Sequence, residues 1–456
     1  MADSSGAVSL YMQLQPDWDS PGEEDSCWLD VYERSVTWTP RASPAIHSSA
    51  STQFRLPLSP SPTAMASTNS TDHQRHLVQV TRREKQWIEV EVSLSSSSGS
   101  SQLRTVFQAP TEVFDLAHSV AHPLNTDAPV QHRNSLQLFA IDVANDERRV
   151  VVGGSDGTCL LWDAQQRGQM LPLVGHAADV TVARFFPSAQ VVLTGSLDWT
   201  LRVWSVAGRC AATLRGHTGG IEDAAIVGRG RNVLSCGSDG LVQLWSVATQ
   251  EPVARWANDA GSAVHCLSVL QDNDHVLVDD EVEAPISELE AETDGKVLFA
   301  GLDNGEVLGV DIRAREAVLN LEGAGSIASC ATTASMLFTG TDDGLLTAWD
   351  LRQTGRCEAA LTVPTCNSTP LHVVSRSSAS IHTIVANTRG VWTAHGDGVC
   401  SHWLGLSEGG RPRVATELTG PQFEPVRSLA LAPQTGRIFT ASRDGEFREY
   451  VPHLGE

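Results

Sequence analysis

His176, Asp198 and a hydroxyl at Thr194 or Ser196 are the residue types of a hydroxyl–imidazole–carboxylate relay. In such a relay the imidazole takes a proton from a nucleophilic oxygen and the carboxylate orients the ring. His176, His217 and Asp198 are also competent donors to a divalent metal. Repetition argues against both chemistries. His217, Asp239 and Ser235 recur at the same spacing one segment later, and each set is followed by a tryptophan, Trp204 and Trp245. A set copied from segment to segment belongs to the scaffold. No catalytic residue, metal ligand or cofactor site is therefore expected. A buried His–Asp pair must be hydrogen-bonded. His176, Asp198, Trp204 and His217, Asp239, Trp245 are expected to form structural networks.

The elements that position these residues repeat seven times. A hydrophobic run, a turn built on Asp and usually Gly, and a second hydrophobic run close each unit, with turn aspartates Asp156, Asp198, Asp239, Asp303, Asp343, Asp397 and Asp444. Asp accepts hydrogen bonds from turn N–H groups and Gly supplies positive φ. The first three turns lie 42 and 41 residues apart. That period is the signature of four-stranded propeller blades. The expected fold is all-β: a seven-bladed WD-repeat β-propeller with a small, partly disordered N-terminal β region. The sixth unit is expected to open with Leu371–Val374 and a further run at His382–Ala386.

The chain has 456 residues, 41% of them apolar, and a formal charge of −22. That charge disfavours nucleic acid as a principal ligand, because phosphate binding needs concentrated Lys and Arg. No run of 18 or more apolar residues lacks charge, so no membrane span is expected. Met1–Gln15 does not read as a signal peptide. Nine cysteines with irregular spacing and no C-x-x-C pair read as reduced thiols. Cytoplasmic and nuclear localisation is expected.

Two domains are expected. Residues 1–105 form a partly ordered cap with a Ser/Pro-rich linker. Ordered islands surround Trp18, Trp28, Val31 and Trp38 and lie at His76–Val92, Ser43–Thr71 is a flexible connection, and Leu94–Ser101 is almost entirely Ser and Gly. Residues 106–456 form the propeller. Its seventh blade lacks an outer strand, because the chain ends six residues past Tyr450. An unpaired edge needs covering, and a strand from about 103–116 is the expected donor. An acidic insertion spans 271–295. Its stretch 272–294 holds ten acidic residues and no Lys or Arg, which reads as a solvated loop or as an acidic arm for a basic partner. Arg229 and Arg231 are expected on the rim opposite the Asp turns.

The stretch Gly175–Ser246 closely resembles the proteasomal ATPase-associated WD-repeat factor family. Arg184-Phe185-Phe186-Pro187-Ser188 and GHTGGIEDAAIVGRGRNVLS at 216–235 are its most specific pieces. Ser442-Arg443-Asp444-Gly445, with Tyr450 in place of Trp, looks like that family too. The resemblance implies a non-catalytic assembly chaperone of the proteasome's 19S regulatory particle. Such a chaperone binds the C-terminal domain of a base ATPase subunit and delays its docking on the 20S core. It implies no activity of its own and a monomer outside that complex. The alternative is a scaffold or substrate-receptor subunit of another complex, in ubiquitin ligation or ribosome assembly. Geometry alone nominates Asp179, Leu197, Trp199, Glu222, Asp342 and Arg443 as partner contacts on one face of the ring.

Overall fold

The computed structural model describes residues 9–14, 26–37, 45–48, 52–57, 65–66, 76–83, 86–96, 99–116, 136–163, 170–258, 261–270, 288–353, 369–407, 410–421 and 423–452. Seven antiparallel blades follow one another in chain order. The first opens at Leu138–Val143 and ends at Met170–Pro172. The second runs from Val180–Phe185 to Cys210–Arg215, the third from Ile221–Val227 to Glu251–Ala257, and the fourth from Val264–Leu270 to Ala317–Glu322. The fifth spans Ile327–Thr332 to His372–Ser375, and the sixth Ile381–Asn387 to Arg413–Leu418. The seventh holds Val426–Leu431, Ile438–Ser442 and Glu446–Tyr450, and its fourth strand is Glu112–Asp115 from the other end of the array.

Each first strand borders the central channel, and a side chain stitches every seam between neighbouring blades. From the first blade onward, Phe185 N–H donates to Asp142 Oδ2 at 2.7 Å, and Thr181 Oγ1 donates to the Ile221 carbonyl at 2.6 Å. Leu267 N–H donates to Asp223 Oδ2 at 2.9 Å, and the Ser268 and Thr332 hydroxyls meet at 2.8 Å. Ser329 Oγ donates to the Ile381 carbonyl at 2.8 Å and Thr383 Oγ1 to the Arg427 carbonyl at 2.9 Å. Ile141 N–H closes the circle on Ser428 Oγ at 3.2 Å. Apolar side chains fill the gaps between blades; Phe114, Trp162, Phe439 and Phe447 share one cluster across the closure.

Three features depart from the sequence expectations. His372–Ser375 pairs with Leu345–Ala348, so Leu371–Val374 belongs to the outer strand of blade five, not to the start of blade six. The long connection after Leu351 hides this, because it separates the last two strands of that blade. In the fourth blade, Asn304 rather than Asp303 takes the turn-capping place. Its Oδ1 accepts from Glu306 N–H at 3.0 Å, as Asp198 Oδ1 does from Thr200 N–H at 3.0 Å. Finally, residues 94–96 and 99–101 of the Ser-rich run belong to paired strands Trp87–Ser96 and Gly99–Gln108. The second of these strands runs parallel to Arg413–Leu418 and extends blade six into an eight-stranded sheet.

Within Ser43–Thr71, expected as a flexible connection, Ala45–Ser48 and Thr52–Pro57 pair with the long strand Ser26–Thr37. This first sheet packs Met12, Leu14, Leu29 and Val31 against Ile88, Val90, Val92 and Phe107 of the extension. It also reaches the propeller. Tyr11 sits edge-on to Trp403, and Tyr32 Oη donates to the Arg376 carbonyl at 2.9 Å. Trp18 and Trp38 lie outside the described residues, as do 271–287 of the acidic insertion.

Candidate functional site

The hydroxyl–imidazole–carboxylate sets do assemble, and their surroundings explain what they do. His176 Nδ1–H donates to Asp198 Oδ2 at 2.9 Å, and Nε2 accepts from Thr194 Oγ1 at 2.7 Å. Thr194 Oγ1 in turn accepts Trp204 Nε1–H at 2.8 Å. The third blade repeats this with His217 on Asp239 at 2.8 Å and on Ser235 at 2.7 Å, and Trp245 on Ser235 at 2.8 Å. Ser196, the other hydroxyl considered, donates to the Ala178 carbonyl instead. Thr194 and Ser235 are fully buried. No substrate can reach these oxygens, and each already holds an indole. Burial lowers the His176 and His217 pKa values, which keeps both rings neutral. Burial would raise Asp198, but bonds from Thr200, His176 and Ala177 hold it at about 2. Among the described residues, no group of three or more His, Cys, Asp or Glu could hold a metal ion.

Five of the six nominated contact residues belong to the rim that carries the Asp turns and the connections entering each blade, and Glu222 lies instead on the first strand of blade three. Asp179 ends the connection into blade two. Its carbonyl accepts Leu197 N–H at 2.9 Å and its Oδ1 accepts Asp156 N–H at 3.0 Å. Leu197 and Trp199 flank Asp198 and are 39% and 54% exposed. Asp342 precedes the fifth turn, and its Oδ1 accepts from Ser380 Oγ at 3.0 Å. Arg443 is exposed at the seventh turn, its N–H on the Pro425 carbonyl. Glu222 and Asp342 both line a central cavity of about 380 Å³, to which first strands from all seven blades contribute. Burial and then the neighbouring Asp223 raise the Glu222 pKa, against the pull of His265.

Several charged residues of this cavity were not anticipated: Asp223, Arg184, His265, His382 and Arg427. Burial and Arg427 push His382 down to about 4, so its neutral ring faces the guanidinium, with Nη1 3.3 Å from Nε2. The alternation of first-strand residues is the signal that could have found them. Phe423, 58% exposed on the connection into blade seven, had no such signal, because that connection does not repeat.

The described end of the acidic insertion lies on the opposite rim. Asn232 Nδ2 donates to the Leu289 carbonyl and its Oδ1 accepts Ala291 N–H at 2.7 Å. Glu290 pairs with Arg315, Asp294 with Arg313, and Glu292 accepts Arg229 N–H. These three acids are thus engaged within the chain. The insertion joins the first two strands of blade four, so it leaves the ring on the side away from Trp199 and Arg443.

Comparison with known proteins agrees with this geometry. The family described as WD domain, G-beta repeat matches residues 129–163, 168–205 and 208–246. The chain is 28% identical over 223 residues to a guanine nucleotide-binding protein subunit beta of Oryza sativa subsp. indica, covering 45% of this chain and 54% of the relative. It is 28% identical over 222 residues to the 26S proteasome regulatory subunit RPN14 of Saccharomyces cerevisiae, covering 47% and 53%. It is 27% identical over 223 residues to the nuclear distribution protein PAC1 of Arthroderma otae, covering 44% and 47%. The chain spans about half the length of these curated relatives. The stretches that match the family fall in the first three blades of the seven-bladed ring, which is related to several WD-repeat proteins.

Proposed function

We propose that this scaffold is an assembly chaperone of the proteasome's 19S regulatory particle base, acting in cytoplasm and nucleus. It binds the C-terminal domain of one base ATPase subunit on the turn rim and delays that subunit's docking on the 20S core. The mechanism is steric and electrostatic: a rigid seven-blade rim presents Asp179, Leu197, Trp199, Asp342 and Arg443 to a small folded domain. The observation that carries the reading is the wording of Gly216–Ser235, which resembles the proteasomal factor family where generic repeats differ. Similarity to the yeast regulatory subunit RPN14 supports it. An excess of negative charge favours encounter with a basic surface.

Affinity purification with identification of the bound proteins tests it. Free base ATPase subunits with little 20S core are expected. A cullin adaptor or pre-ribosomal proteins without ATPases would instead favour a scaffold of another complex. Deleting 272–294 asks separately whether the acidic insertion steers association. Its removal should slow binding in low salt and matter less in high salt.

A further inference from the structure

Six of the seven turns place glycine in the left-handed region at one position: Gly157, Gly240, Gly305, Gly344, Gly398 and Gly445, with φ between 73° and 87°. The second turn places Trp199 there, at φ 68°. Its N–H makes the same bond as five of these glycines, to the Ser196 carbonyl at 3.1 Å, as Gly240 N–H does to the Gly237 carbonyl. A bulky side chain in this conformation is strained, and such strain persists where function selects for it. The strain earns no burial in return, since Trp199 is among the most exposed large apolar residues of the described chain.

At Gly157, Gly240, Gly305, Gly344 and Gly398 the incoming connection crowds this position. A Cβ at Gly305 would lie 2.8 Å from the Gly325 carbonyl oxygen, and one at Gly240 3.0 Å from that of Ser262. Beside the second turn the incoming connection is Gly219-Gly220. A Cβ at Gly220 would lie 2.6 Å from Leu197 Cδ2, so this glycine also makes space for the neighbouring exposed leucine. Leu197 and Trp199 thus form a two-residue apolar prong on either side of Asp198. Asp156 and Asp179, bonded together at 3.0 Å, stand next to it on the same rim.

We infer that Leu197 and Trp199 are the anchor of the partner interface, and that Trp199 inserts into an apolar recess bordered by Lys or Arg on a partner protein. Charge complementarity selects this occupant: the prong is bordered by carboxylates on a chain of net charge −22, and an exposed indole face also attracts cations. The inference rests on the proposed function for the identity of the partner. It goes beyond it in naming the residue on which binding turns.

Trp199→Gly restores the turn used by the other six blades, so it separates binding from folding. The purified C-terminal domain of each base ATPase subunit is titrated against wild type, Trp199→Gly and Trp199→Asn, and thermal midpoints are measured in parallel. Binding at least tenfold weaker in both variants, with a midpoint unchanged or raised for Trp199→Gly, is expected. Equal affinity of wild type and variants for the same domain overturns the inference and leaves the proposed function standing. Failure of wild type to bind any domain overturns the proposed function, and the midpoints then decide the inference. A lowered midpoint in Trp199→Gly makes Trp199 a packing residue and overturns it. An unchanged or raised one supports a residue kept for contact.

Discussion

Arg376 donates to Asp397 at 2.6 Å in blade six, in the place where His176 donates to Asp198 in blade two. The guanidinium is 1% exposed and has a second acid, Glu417, at 2.6 Å on the outer strand of the blade. Its carbonyl accepts the Tyr32 hydroxyl, and Arg34 reaches the adjacent Ser375 Oγ at 3.0 Å. One residue thus replaces the blade network and secures the N-terminal sheet to the ring. The imidazole has moved as well. His395, on the second strand, meets Thr393 Oγ1 at 2.8 Å, and Trp403 Nε1 donates to the same oxygen at 3.0 Å.

Arg376→Ala should therefore be severe. It leaves two acids without their cation, and Glu417 is fully enclosed. Removing one member of a buried ion pair costs about 3–5 kcal/mol. Adding Glu417→Gln should recover part of the loss, because the uncompensated charge goes with it. Urea unfolding of the single and double variants measures both steps. Equal stability of Arg376→Ala and wild type would show that the acids simply take up protons.

The bridging hydroxyls predict a coupled loss. Thr194→Val keeps volume but strips the partner from Trp204 Nε1 and His176 Nε2 together. Each buried polar group left unpaired costs about 1–3 kcal/mol, so for two groups about 2–6 kcal/mol is expected. Trp204→Phe removes the indole donor, and the double variant should lose less than the sum of the singles. Ser235→Ala should behave likewise in blade three. Strict additivity in the double-mutant cycle would mean that the hydroxyl does not join indole and imidazole into one unit.

Ring closure rests on Phe114. Its ring stacks on Phe447 at 4.5 Å and meets Trp162 at 4.9 Å, joining the closing strand to blades seven and one. Phe114→Ala should cost about 3 kcal/mol. Removing residues 1–116 would expose Glu446–Tyr450 as an unpaired edge, and such edges associate. Light scattering should then show self-association absent from the full chain. A monomeric, cooperatively unfolding truncation would contradict this.

The turn aspartates made the ring legible, because an Asp turn, usually with Gly, recurs in most copies and spaces the first three by 42 and 41 residues. Legibility failed where contacts are distant or unrepeated. Of the expected donor at about 103–116 only Glu112–Asp115 closes blade seven, and nothing in the Ser content of Gly99–Gln108 points to an edge waiting on blade six. Arg376 was invisible as a network member, because its role depends on Glu417, 41 residues away on another strand. Trp199 was visible as an oddity of its turn. The strained φ that gives the oddity meaning came only with the backbone.

Acid should weaken the fold through its buried imidazoles. Burial lowers His382, His395 and His402 to about 4, against about 6.5 in the unfolded chain. Between those values the unfolded chain binds more protons than the folded one. Their stabilising effect is thus fully present above pH 6.5 and is lost as pH falls toward 4. Asp397, held at about 2 by Arg376 against the cost of burial, adds a further loss below its unfolded value of 3.8. Asp142, Asp223 and Glu417, raised by burial, act in the opposite direction. His395 is fully buried and gives the clearest signal. Its share is about 2 kcal/mol between pH 7 and pH 5. His395→Gln should start less stable, because it disturbs the bond to Thr393, yet show a shallower slope of unfolding free energy against pH. Parallel slopes for wild type and variant would mean that His395 takes up its proton at the same pH in the folded ring as in the unfolded chain.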